Sequence, residues 1–187
     1  MRLIPSIVFL LMGSLVFAQD AGAEFIGNKK CKMCHNKAEK GAQYTKWETT
    51  GHANTFDILL TDEAKAIAKK RGLKTTPDLA GECLQCHVTG WGTPSGYQLE
   101  VDETDKKAVS KNNALKSVGC EACHGAGSLY KGKKDMLAIE AGTIDGATLG
   151  LVKPTEQTCL GCHNDKSPTF KPFDFKERSA KIAHRYP

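Results

Sequence analysis

The sequence predicts a mostly α chain with long loops and little or no sheet, built around something other than its own side chains. Three observations carry that expectation. All eight cysteines fall in one pattern, C-x-x-C-H, at residues 31–35, 83–87, 120–124 and 159–163. The composition, with 18 glycines, 26 Lys or Arg and only 40% hydrophobic residues, lacks the apolar area that would offset the entropy of ordering 187 residues. The chain also shows helix punctuation in several places and period-2 alternation in none.

The elements follow in order. Residues 2–17 hold Arg2 and an apolar run of about fifteen residues, short of the roughly 20 a membrane span needs. With "VFAQD" after it, this predicts a secretory signal peptide at residues 1–18, cut after Ala18, and a single domain at residues 19–187. Residues 37–60, which contain Tyr44, Trp47, His52 and Phe56, predict one helix-like stretch. Thr61 then caps a helix with Asp62 and Glu63 in its first turn, Lys69 to Arg71 in its last, and Gly72 as terminator. Residues 88–107 are turn-rich and predict one short hairpin at most. A helix is expected after the third motif, within residues 125–142, and Thr155 should cap the turn that delivers Cys159. Residues 166–175 read as extended, and residues 176–184 as a last helix ending at His184. The motifs recur at intervals of 52, 37 and 39 residues, too uneven for a solenoid.

What do thiols gain by standing before histidines? Disulfides are the first reading for an exported chain, yet they give no reason for a histidine after every second cysteine. Four zinc half-sites would pair into Cys₄ centres, and histidine would follow only by chance. Covalent c-type haem explains all three residues. On a helical turn, i, i+3 and i+4 share a face, so two thiols can form thioethers with one porphyrin while the histidine ligates its iron. The chain is therefore expected to hold four covalent haem c groups, each with its iron. The attaching pairs are Cys31 with Cys34, Cys83 with Cys86, Cys120 with Cys123, and Cys159 with Cys162. The proximal ligands are His35, His87, His124 and His163. The macrocycles would supply the missing core.

Only six histidines are present, so His52 and His184 are left as distal ligands and two irons lack one. Met136, Tyr130 and nearby lysines are weaker alternatives, and Met33 should point away from its own iron. Trp47, Trp91 and Phe56 are expected to pack on porphyrin faces.

Several stretches resemble the tetrahaem cytochrome c-554 family. They are "W-x-x-x-G-H-A-x-x-F" after the first motif, "C-L-x-C-H-x-T-G-W-G", "G-C-E-A-C-H-G-x-G-S" and "C-L-x-C-H-N-x-K-S-P-T-F". The resemblance covers roughly residues 25–184. It implies a multihaem cytochrome fold and a periplasmic or extracellular electron carrier with closely packed haems. It also implies that His52 serves a haem other than its neighbour, and that one haem has no distal protein ligand. The chain departs from the pattern in having no histidine at residues 88–119 or in "GSLYKG".

The formal charge of +5 would be offset by haem propionates, and no basic run is interleaved with aromatic residues, so no nucleic-acid partner is expected. The expected partners are redox proteins, donor and acceptor, with no membrane span in the mature form and oligomerisation left open. Export places the protein in the periplasm, or beyond it in the extracellular space. The expected function is electron carriage rather than catalysis. The alternative is a haem enzyme reducing a small nitrogen oxide or hydroxylamine at an iron without a distal protein ligand. A filament in which subunits share ligands would still need eight histidines per subunit.

Overall fold

A computed structural model describes residues 22–184; the predicted signal peptide and its cleavage site lie outside the described residues. Ten short helices joined by loops and 3-10 turns make up this region, and no strand occurs among the described residues. The first, α1 (Lys29–His35), carries the first motif. Residues 37–60 form no single helix but break into α2 (Gln43–Glu48), a 3-10 turn at Gly51–Asn54, and α3 (Thr55–Leu59). The cause is local. Thr49 and Thr50 turn their hydroxyls back onto the carbonyls of Lys46 and Trp47, each at 2.8 Å, and Thr50 is extended ahead of Gly51.

Helix α4 (Asp62–Lys70) forms where its punctuation placed it, with the Thr61 hydroxyl accepting from the Ala64 N–H at 3.2 Å. The second motif lies on α5 (Gly81–His87). No hairpin forms at residues 88–107. The segment is irregular there, and a helix without an apolar stripe follows it, α6 (Lys106–Asn113), capped by Asp105. The third motif forms α7 (Cys120–His124), and α8 (Lys133–Glu140) is the helix expected after it. Helix α9 (Glu156–Leu160) starts at Thr155, whose N–H is bonded by the Thr158 hydroxyl at 3.1 Å. The fourth motif thus runs out of its helix, and His163 is placed by a turn whose N–H bonds Cys159 at 2.9 Å. Helix α10 (Phe175–Ile182) begins at an Asp174 cap and ends before His184, which stands beyond it.

The chain does own a small side-chain core. Phe56, Leu59, Leu84, Val88, Tyr97 and Leu115 pack together, with Phe25, Cys83 and Trp91 against them. Phe56, expected on a porphyrin face, lies instead 5.8 Å from Tyr97 in this cluster, with the Lys116 ammonium over its ring. The loop after α5 is closed by two glycines in contact. A Cβ at Gly96 would stand 1.8 Å from the Gly90 carbonyl oxygen, and Gly90 itself has φ +74°. Gly96→Ala should therefore open this loop, expose Tyr97 and lower the thermal midpoint by several degrees. A midpoint unchanged within about one degree would show that the loop bears no load.

Candidate haem centre

The four motifs meet through their thiols. Cys31 lies within electrostatic reach of Cys120, Cys86 of Cys162, and Cys123 of Cys159. These proximities link the motifs in the order second, fourth, third, first, unlike their order in sequence. All eight cysteines are free of disulfides. Among the described residues no three Cys, His, Asp or Glu side chains converge as a metal-ion site.

The histidines pair across the chain. His52 faces His163 with ring centroids 6.0 Å apart and planes at 71°; His124 faces His184 at 5.9 Å and 66°. Two imidazoles bound to opposite sides of one metal stand roughly 6 Å apart, given metal–nitrogen bonds of about 2.0 Å plus the ring radii. Both gaps fit an iron. No second imidazole stands so against His35 or His87 among the described residues.

Ring orientation is set by backbone carbonyls. His87 Nδ1 bonds the Thr55 carbonyl at 2.5 Å, His124 Nδ1 the Val152 carbonyl at 3.3 Å, and His184 Nδ1 the Ile182 carbonyl at 2.9 Å. A carbonyl only accepts, so Nδ1 carries the proton and the Nε2 lone pair is free for a metal. Burial, with the charge of His163 second, holds His52 below the ordinary imidazole value. Burial first also lowers His124 and His163. These rings are thus neutral, as ligation requires. Phe173 stacks on His163 at 4.6 Å and fixes its plane.

A cavity of about 1030 Å³ runs between the second and fourth motifs, lined by His52, Cys83, Cys86, His87, Cys159 and His163 among others. It slightly exceeds the upper end, about 1,000 Å³, of small-molecule sites. One cavity thus receives two complete attachment motifs, as two macrocycles side by side would need. Trp91 lines this space, and Trp47 donates its indole N–H to the Val118 carbonyl at 3.0 Å.

The weaker ligand candidates fare differently. Tyr130 donates its hydroxyl to the Gly125 carbonyl at 2.7 Å, and burial raises its pKa, so it is committed to holding the turn after the third motif. Met33 is 73% exposed, and Met136 sits half-buried on α8.

Two important residues carried no obvious sequence signal. Glu121, inside the third motif and 2% exposed, accepts from the N–H groups of Gly27 and Gly127, each at 2.7 Å, and of Ile26 at 3.0 Å. It clamps the lead-in of the first motif onto the third. It is also the only acidic residue between the cysteines of any of the four motifs, which was a signal in hindsight. The Thr55 hydroxyl donates to the His87 carbonyl at 2.9 Å and accepts from the Val118 N–H at 3.0 Å, tying the second motif to the approach of the third.

Residues 30–125 match the family described as "Cytochrome c554 and c-prime". Cytochrome c-554 of Nitrosomonas europaea is 31% identical over 170 residues, covering 86% of this chain and 66% of that protein's length. The solved reduced state of cytochrome c554 from the same organism superposes with a TM-score of 0.56 at 30% identity, covering 86% of this chain and 78% of that one. No helix among the described residues is long and apolar enough to cross a membrane.

Proposed function

Because the chain belongs to the cytochrome c554 family and is a tetrahaem c-type cytochrome, we propose that it is an exported, periplasmic electron carrier whose own residues hold four irons in one row. Each haem supplies one reversible ferric–ferrous electron. The polypeptide supplies everything else. Eight cysteines tether the macrocycles, and Thr55, Val152 and Ile182 aim histidine lone pairs through their carbonyls. His52 and His163 together would ligate the iron of the fourth motif, and His124 and His184 that of the third. His35 and His87 would each hold an iron without a second histidine.

The observation that carries the reading is the unbroken succession of neighbouring motif cysteines. It keeps neighbouring motifs close enough for electrons to pass from each to the next. Intact mass should show four haems that survive acid–acetone extraction, and changing Cys120 and Cys123 to alanine should remove one. A mass matching the bare polypeptide would end the reading. The reduced wild-type protein should also take up at least one carbon monoxide, and up to two, with a Soret shift. A wholly low-spin ferric EPR spectrum without uptake would place other side chains on His35 and His87 irons.

A second reading, reduction of a small nitrogen oxide or hydroxylamine, draws on the one-sided placement of His35 and His87. It predicts that a continuously reduced protein consumes substrate over many turnovers. A carrier gives up only its four stored electrons.

A further inference from the structure

We propose that the surface around α1 is the docking site for an acidic redox protein, and that electrons cross there between that partner and the iron held by His35. This rests on the carrier reading above. Residues 29–46 hold six lysines and one glutamate, so these eighteen residues carry a net +5; the rest of the chain has twenty basic and twenty acidic residues. The entire formal surplus is therefore concentrated around one motif.

Lys29, Lys30, Lys37 and Lys46 are exposed, and among the described residues none has a carboxylate ion pair; Lys32 has Glu48 at 3.4 Å. Helix α1 buries none of its residues, Cys34 is exposed, and Met33 offers an apolar centre inside the basic rim. The attachment helix is thus part of the outer surface.

The first motif also stands at one end of the row. Around the second motif, residues 75–100 contain Asp78, Glu82 and Glu100 and no Lys or Arg, while Arg71 and Lys166 stand near its cysteines, so no comparable basic excess gathers there. A partner with a carboxylate-rich face is drawn to the first end. Such steering raises association rates by about 10- to 1,000-fold and fades once salt screens beyond roughly 8–10 Å. Each productive encounter moves one electron. The iron changes by one unit of charge, the partner's cofactor changes oppositely, and no bond is made or broken.

The test uses ferric holoprotein and flavodoxin hydroquinone, a small acidic one-electron donor that becomes the semiquinone as it reduces the cytochrome. One variant combines Lys29→Gln, Lys30→Gln, Lys37→Gln and Lys46→Gln. A control removes four charges elsewhere, through Lys65→Gln, Lys69→Gln, Lys70→Gln and Lys74→Gln. At low ionic strength the first variant should be reduced about tenfold more slowly than wild type and the control less than about twofold, with all three rates converging in high salt. Equal slowing in both variants, or none in the first, overturns the proposal. So does slowing by the same factor at every salt concentration, which would mean that the lysines serve the haem propionates instead. If reduced methyl viologen, a small cationic donor, also fails to reduce the wild type, the carrier reading itself fails. If it succeeds while flavodoxin rates ignore the lysines, only the docking site falls.

Discussion

Replacing His52 with alanine should turn one low-spin haem high-spin while all four remain attached. The loss should fall on the fourth motif, because His52 faces His163, and not on the first motif that His52 follows in sequence. Ferric EPR should gain one high-spin haem, the reduced protein should bind one additional carbon monoxide, and added imidazole should restore the low-spin signal. His184→Ala should do the same for the third motif, where His184 faces His124. An unchanged spin count would reduce His52 to a packing residue, and the 6.0 Å ring separation would then have no chemical meaning.

Glu121→Ala should be the most destabilising single change outside the haem-binding residues themselves. Its carboxylate satisfies three backbone N–H groups, on Ile26, Gly27 and Gly127, and is itself buried. Leaving a buried donor unmade costs about 1–3 kcal/mol, so the loss should reach roughly 3 kcal/mol once water has rescued part of it. Chemical denaturation followed by tryptophan fluorescence should show the midpoint falling with little change in slope. Glu121→Gln keeps one acceptor oxygen and should fall between. If Glu121→Ala unfolds at the wild-type denaturant concentration, the clamp between the first and third motifs is not structural.

The part of the site legible in sequence was the part encoded by local spacing. C-x-x-C-H names its own chemistry, and Thr61 with Gly72 bracketed α4 because capping is decided within a few residues. His52 and His184 stood out because four irons needed more ligands than the motifs provide. Which iron each would face could not be read, since the pairing joins residues 111 and 60 positions apart. The break at Thr49 and Thr50 was missed because threonine hydroxyls compete with helical bonds only in particular rotamers. Helix α6 was missed because "KKAVSKNN" shows no apolar period, although Asp105 was a visible cap. The packing of Phe56 with Tyr97, Leu84 and Leu115 was not legible because these residues come from distant segments of the chain.

The two histidine pairs also act as fasteners. Along the chain the paired residues alternate, 52, 124, 163, 184, so the two closures interlock like crossed laces instead of lying side by side. With iron seated in both gaps, each closure restricts the unfolded chain as a crosslink does, by roughly 4–5 kcal/mol for loops of this length while the metal bond holds. The second lace is tied by a residue four positions from the carboxyl end. Trimming the tail by a protease that removes His184 would loosen the third-motif iron first and leave the rest of the lacing in place.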